Sequence, residues 1–200
     1  MNLTLKESLV TRSRVFSPWT AFYFLQSLLI NLGLGYPFSL LYTAAFTAIL
    51  LLLWRTLPRV QKVLVGISSL VAACYFPFAQ AYGAPNFNTL LALHSTNMEE
   101  STEILTIFPW YSYLVGIFIF ALGVIAIRRK KESEKARWNT FDSLCLVFSV
   151  ATFFVAPVQN LAWGGVFKLK DTGYPVFRFA KDIIVNNNEV IEEQERMAKL

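Results

Sequence analysis

The sequence has few of the residues on which metal and nucleophilic chemistry depend. It contains one histidine, His94, and two cysteines among its 200 residues. A zinc site needs several Cys, His, Asp or Glu side chains that converge, and no such cluster is visible. A Gly-rich phosphate loop, a Ser-His-Asp set and paired carboxylates on facing apolar segments are missing as well. We therefore expect these 200 residues to hold no cofactor and not to be catalytic by themselves.

Positive charge is also missing from most of the chain. The 18 Lys and Arg residues are confined to residues 1–14, 55–62 and 128–137 and to the segment from 168 onward. The chain between these regions contains five apolar segments, at residues 15–34, 37–54, 63–82, 110–127 and 141–163. Each is close to the ~20 residues that a helix needs to cross the ~30 Å hydrocarbon core of a bilayer. The predicted fold class is an all-α membrane protein with five transmembrane helices.

The positions of the basic residues also predict the orientation of the chain. Short loops rich in Lys and Arg stay in the cytoplasm, whereas the connections around Gly35 and over residues 83–109 contain neither residue. Five crossings then place the N-terminus in the cytoplasm and the C-terminus outside. In a bacterium this would be a multi-pass protein of the inner (cytoplasmic) membrane with its C-terminus in the periplasm. The net charge of +5 lies mostly beside the apolar segments, where it faces anionic headgroups. We therefore expect membrane lipids as partners and no nucleic acid.

The connection over residues 83–109 is the longest among the first four predicted helices. Long connections often carry function. We predict two short helices here, one over residues 87–93 and a second that opens at Thr96 or Asn97. The apolar side chains of Leu90 and Leu91 place the pair in the membrane interface, on the periplasmic side.

The polar residues of this second helix allow two interpretations. In the first, Thr96 caps the helix, Glu100 completes an arrangement like a capping box, and the acidic side chains are solvated. In the second, Thr96, Asn97 and Glu100 bind a lipid headgroup. A carboxylate attracts an ammonium group, and hydroxyl and amide groups donate to phosphate oxygens. The spacing of the residues does not decide between them.

A resemblance to a known family rests on this same segment. The run Thr96-Asn97-Met98-Glu99-Glu100-Ser101 follows an apolar helix and precedes a Pro-aromatic entry into the fourth span. It resembles the loop of the bacterial phosphoethanolamine transferases, which reads approximately Asn-x-x-x-Thr-Asn-x-x-Glu-Ala/Ser. The resemblance covers the whole chain in topology but only this short motif in specific residues.

The resemblance implies a membrane domain that holds phosphatidylethanolamine and docks a periplasmic catalytic domain of the alkaline-phosphatase type. That second domain would carry zinc and a threonine nucleophile, and it would pass phosphoethanolamine to lipid A, to the lipopolysaccharide core or to related acceptors. By the same resemblance, Thr96 and Glu100 match family residues that bind the donor lipid, and Asn97 matches a neighbouring position of the motif. The chain departs from the motif at Ala92, where the family has Asn.

The remaining residues predict how the chain is divided. Residues 1–165 form the five-helix transmembrane domain. Residues 166–200 form a periplasmic amphipathic helix and a linker toward an absent catalytic domain, because Phe177, Ile184 and Ile191 recur at helical spacing. Two other functions stay open, a small transporter or assembly subunit unrelated to lipid modification and a structural anchor. Conduction would favour ionisable residues in mid-span, where the sequence has mainly neutral polar ones.

Overall fold

The computed structural model describes residues 18–95, 106, 108–129, 140–164 and 172–197. These residues form seven α-helices and, over the same ranges, no β-strand. In chain order the helices are α1 (Pro18–Gly33), α2 (Leu40–Thr56), α3 (Pro58–Tyr82), α4 (Phe87–Ser95), α5 (Trp110–Arg128), α6 (Thr140–Gly164) and α7 (Pro175–Met197).

Each of the five predicted apolar segments forms a helix, which confirms the all-α assignment. Three of these helices, α3, α5 and α6, are long enough and apolar enough to cross a membrane. With 17 residues α2 is a shorter apolar helix, and α1 is described over 16 residues. At 1.5 Å per residue, these two are about 24 to 26 Å long. Five membrane crossings and the interfacial position of the short helices remain predictions.

The closest packing in the bundle joins α3 to α5. At Gly116 an added Cβ would lie 2.7 Å from the carbonyl oxygen of Ala73, and at Gly123 it would lie 2.6 Å from the Cβ of Ser69. Small residues let helix backbones approach closely, which is how helices in lipid gain dispersion energy. Outward, α5 and α6 present large apolar side chains such as Ile117 and Val147, as expected of lipid-facing helices.

The interior of the bundle contains a row of neutral polar side chains along α1. Gln26 Nε2 donates to Ser69 Oγ at 2.9 Å, and Asn31 Nδ2 donates to Thr43 Oγ1 at 3.0 Å. All four of these residues are buried. Such hydrogen bonds hold helices together inside lipid, where an unpaired polar group is costly. The row therefore fixes α1 against α2 and α3.

One end of the bundle gathers basic residues from different helices. Arg55 at the end of α2 forms an ion pair with Asp142 at the start of α6. The guanidinium of Arg129 lies between two indole rings, 3.6 Å from the ring centroid of Trp54 and 4.0 Å from that of Trp19. We call this the basic end, and the opposite end, which α7 covers, the α7 end. This grouping is what we expect if the basic residues share one side of the membrane.

The C-terminal segment is one continuous helix. From Pro175 the helix α7 runs 23 residues to Met197 and so includes the region in which we expected a charged linker. Proline at the first position of a helix costs no hydrogen bond, because that N–H has no partner within the helix. Phe179 and Val190 are buried on one face, whereas Phe177, Ile184 and Ile191, on which the predicted amphipathic helix rests, are exposed.

Candidate functional site

The two residues that precede α7, Gly173 and Tyr174, contact α2 and α6. The hydroxyl of Tyr174 donates to the carbonyl oxygen of Ser149 at 2.8 Å, and its ring lies edge-on to Tyr42, with 5.9 Å between the ring centroids. The preceding Gly173 lies directly under this second ring, since an added Cβ would come within 2.0 Å of Tyr42. Tyr174 is 1% exposed. It therefore anchors α7 to the bundle.

The middle of α7 crosses the turn between α1 and α2. Tyr36 in this turn donates its hydroxyl proton to Asp182 Oδ2 at 2.8 Å. Arg178 lies one helical turn earlier, with its Cζ 4.9 Å from the ring centroid of Tyr36. Its Nε is 3.5 Å from the same Asp182 oxygen. A phenol, a carboxylate and a guanidinium from two distant parts of the chain thus meet at the α7 end.

The later part of α7 contacts α4. His94 Nε2 and Asn187 Oδ1 are 2.8 Å apart, and Asn186 Nδ2 donates to the carbonyl oxygen of Pro85 at 3.4 Å. The first turn of α4 is capped by Asn86, whose Oδ1 accepts the backbone N–H of Thr89 at 3.0 Å. This cap fixes where α4 begins. The short helix is thereby held on α7.

The two turns at the α7 end meet through glycines. Gly35, after α1, has a φ of 80°, and Gly83, after α3, has a φ of 72°. An added Cβ at Gly35 would lie 2.4 Å from the carbonyl carbon and oxygen of Gly83. Both conformations belong to the left-handed region that favours glycine. The two turns beneath α7 are thus held together by contact between their backbones.

The structure bears on only part of the predicted lipid site. Thr96, Asn97 and Glu100 lie outside the described residues. A helix is present over the first predicted range and is described from Phe87 to Ser95, the residue before Thr96. The assignment of Thr96, Asn97 and Glu100 to a lipid headgroup stays a prediction.

Three residues that the sequence interpretation did not single out meet at the α7 end: Tyr36, Arg178 and Asp182. Tyr36 occupies a short turn that we read only as a hairpin connection. Arg178 and Asp182 are four residues apart, so the sequence does indicate that they share one face of a helix. No pattern in the sequence connects that face to residue 36.

Burial and charge hold the phenols at this end in their protonated form. Burial of Tyr36 raises its pKa above the ordinary range, and the neighbouring carboxylate of Asp182 raises it further. Burial raises the pKa of Tyr174 to about 12. Both hydroxyls therefore remain hydrogen-bond donors under all ordinary conditions.

These pKa directions predict a loss of stability in alkali. An unfolded tyrosine ionises near pKa 10, whereas folded Tyr174 ionises near 12, so between these pH values the unfolded state binds fewer protons. Stability therefore falls as pH rises from 10 to 12, by about 2 to 3 kcal/mol for two pKa units. Tyr174→Phe should flatten this fall in thermal unfolding midpoints measured in detergent from pH 8 to 12. Tyr111→Phe, at an exposed ring, is the control. Equal pH dependence in all three proteins would contradict the assignment.

The donor set of the described residues does not suit zinc. In those ranges no three His, Cys, Asp or Glu side chains come together. Structural and catalytic zinc sites use three or four such ligands.

Comparison with known proteins gives one informative match. The chain is 98% identical over all 200 residues to the N-terminal part of a protein of Escherichia coli (strain K12), "Phosphoethanolamine transferase OpgE". The match covers the whole chain but 38% of the relative's length. No protein-family model matches the chain, and no solved structure matches it.

Proposed function

This chain corresponds over its full length to the N-terminal region of a phosphoethanolamine transferase, and we propose that it is the membrane domain that holds the phosphatidylethanolamine donor. In this proposal the headgroup is presented at the periplasmic leaflet. The catalytic step then belongs to the part of the transferase that follows this region. That part would carry the zinc and the threonine nucleophile that the resemblance implies.

The attachment of α4 to α7 is the observation that carries this proposal. α4 is described up to Ser95, the residue before Thr96, and it is held on α7 by His94 and by the carbonyl of Pro85 just before its first turn. A headgroup held by Thr96, Asn97 and Glu100 would therefore lie beside the helix that leads toward the rest of the transferase. The carboxylate would attract the ammonium group, while the hydroxyl and amide groups would donate to the phosphate.

The orientation within the membrane is part of the same proposal. Arg55 and Arg129 lie at the basic end, opposite α7. If the basic end is cytoplasmic, as the distribution of Lys and Arg predicts, α4 and α7 face the periplasm. The domain then belongs in the bacterial inner membrane with its C-terminus outside. The acceptor is not part of this proposal, because the resemblance allows lipid A, the lipopolysaccharide core or a related acceptor.

Substitutions in the full-length relative test the donor site. We expect Thr96→Ala and Glu100→Ala each to lower transfer by about tenfold or more, because a hydrogen bond to a charged group contributes about 1.5 to 3 kcal/mol. The measurement is the loss of labelled phosphoethanolamine from phosphatidylethanolamine, which does not depend on the acceptor. Product analysis of lipid A and core sugars then tests the acceptor separately.

The matched control is Asn88→Ala, which removes an exposed polar side chain from α4. All variants must reach the membrane in equal amount. Unchanged donor consumption in both Thr96→Ala and Glu100→Ala would remove the proposed lipid site. Loss of consumption in the control as well would instead point to damage to the loop.

A further inference from the structure

Arg178 is held in a fixed orientation at the surface of the α7 end. Its guanidinium lies over the ring of Tyr36, with Cζ 4.9 Å from the centroid. Its Nε faces Asp182 Oδ2 at 3.5 Å. The side chain is nevertheless 53% exposed. Contact with a ring and a carboxylate reduces the conformational freedom of a long side chain, so that less entropy is lost when it binds a ligand.

The contact with Asp182 leaves most of the hydrogen-bonding capacity of Arg178 unused. Asp182 Oδ2 already accepts the proton of the Tyr36 hydroxyl at the shorter distance of 2.8 Å. A half-exposed pair at 3.5 Å is worth little in water. Within the described residues, the two terminal nitrogens of Arg178 have no hydrogen-bond partner. Arg178 therefore presents a positively charged, planar pair of donors to the surface.

The location of Arg178 matches the expected level of lipid headgroups. Tyr36 lies in the turn between two apolar helices, α1 and α2. Two tryptophans lie at this same end of the bundle. Trp110 opens α5 and is 73% exposed, and Trp163 near the end of α6 is 92% exposed. Exposed tryptophans prefer the interface between hydrocarbon and water. The donors of Arg178 are thus placed where phospholipid phosphates lie.

We propose that Arg178, oriented by Tyr36 and Asp182, binds the phosphate of a phospholipid headgroup. A guanidinium matches phosphate oxygens through two parallel hydrogen bonds, which a lysine cannot reproduce. The identification of this lipid as the phosphatidylethanolamine donor rests on the proposed function. The phosphate contact itself does not, because every phospholipid carries that group.

Lipid binding to the purified 200-residue chain tests this assignment. Native mass spectrometry in detergent measures the affinity for phosphatidylethanolamine and for phosphatidylglycerol. Arg178→Gln should weaken the binding of both lipids by about tenfold, and Arg178→Lys should weaken it less. The control is Arg196→Gln, near the far end of α7, where the guanidinium pairs with Glu193 at 3.2 Å. This control should change neither affinity.

The two lipids separate the two proposals. A wild-type preference for phosphatidylethanolamine supports donor binding. Equal affinities that both fall with Arg178→Gln would contradict the donor site but support the phosphate contact. Unchanged affinities of Arg178→Gln for both lipids would overturn the phosphate contact. The third ligand to be measured is free phosphoethanolamine. If Arg178→Gln weakens the binding of free phosphoethanolamine but of neither lipid, Arg178 binds a soluble phosphate and the proposed contact with a lipid is wrong.

A second measurement needs no variant and so does not depend on folding. Phenylglyoxal modifies accessible guanidinium groups, and peptide mass spectrometry reports the rate at each arginine. At a phospholipid concentration about ten times its Kd, occupancy of the site should slow modification of Arg178 by about tenfold and leave Arg196 unchanged. Equal rates at Arg178 with and without lipid would refute the contact.

Discussion

Gly35→Ala is expected to lower the unfolding free energy of the chain by about 3 kcal/mol or more. Two costs add at this position. The φ of 80° is unfavourable for any residue with a Cβ. The new methyl group would lie 2.4 Å from the backbone of Gly83, which cannot rotate away as a side chain could. The measurement is the thermal or denaturant-induced unfolding of the purified chain in detergent.

Gly83→Ala separates the two costs. Gly83 has a φ of 72° and a ψ of −147°, which is also a conformation for glycine, but an added Cβ there has no atom within 4 Å. This variant should therefore lose only the conformational part, about 1 to 3 kcal/mol. Equal losses in the two variants would show that the contact between the turns contributes nothing. An unchanged midpoint in Gly35→Ala would contradict the described geometry.

Asp142→Ala is expected to have the second large effect. Asp142 is 3% exposed and forms an ion pair with Arg55 across α2 and α6. Removal of Asp142 takes this carboxylate from the partly buried charge of Arg55, whose side chain is 17% exposed, so the cost of about 3 to 5 kcal/mol for a fully buried pair is an upper value. The unfolding free energy of the purified chain should fall by up to that amount. α6 should also become more accessible to proteolysis.

The pair is tested by combining substitutions. Arg55→Leu, Asp142→Leu and the variant with both changes form a cycle, in which the double variant should lose less stability than the sum of the two single losses. Arg59→Ala serves as a control, because it removes an exposed charge from the same basic region. Strictly additive losses in the double variant would show that the two side chains do not stabilise each other.

The helices were predictable because the chain alternates between apolar segments and basic regions. All five apolar segments form helices, and the differences lie at their ends. The third segment was predicted over residues 63–82, but α3 begins at Pro58 and therefore includes Arg59 and Lys62 in its first turns. Proline at the start of a helix signals this position, whereas hydropathy alone excludes the charged residues. The predicted loop between α2 and α3 is thus reduced to Leu57.

The partners of these helices were not predictable in the same way. Apolar spacing in residues 175–197 predicts a helix, but it does not say which of its apolar side chains are buried or which residues cover them. Asp142 stands just inside an apolar segment, and only the packing of α2 beside α6 reveals Arg55 as its partner. The candidate site likewise has a part that the sequence predicts and a part that only the structure shows. A local motif identifies Thr96, Asn97 and Glu100, whereas Arg178 and Tyr36 meet only in the folded chain.

The long sequence separation of the contact between Tyr36 and Asp182 has a consequence for biogenesis. The two residues are 146 positions apart, and a ribosome delivers the N-terminal part first. The first helical hairpin is therefore synthesised long before the helix that covers its turn. A nascent chain halted before Pro175 would leave this turn without its cover, so closure of the α7 end follows the synthesis of α1 to α6.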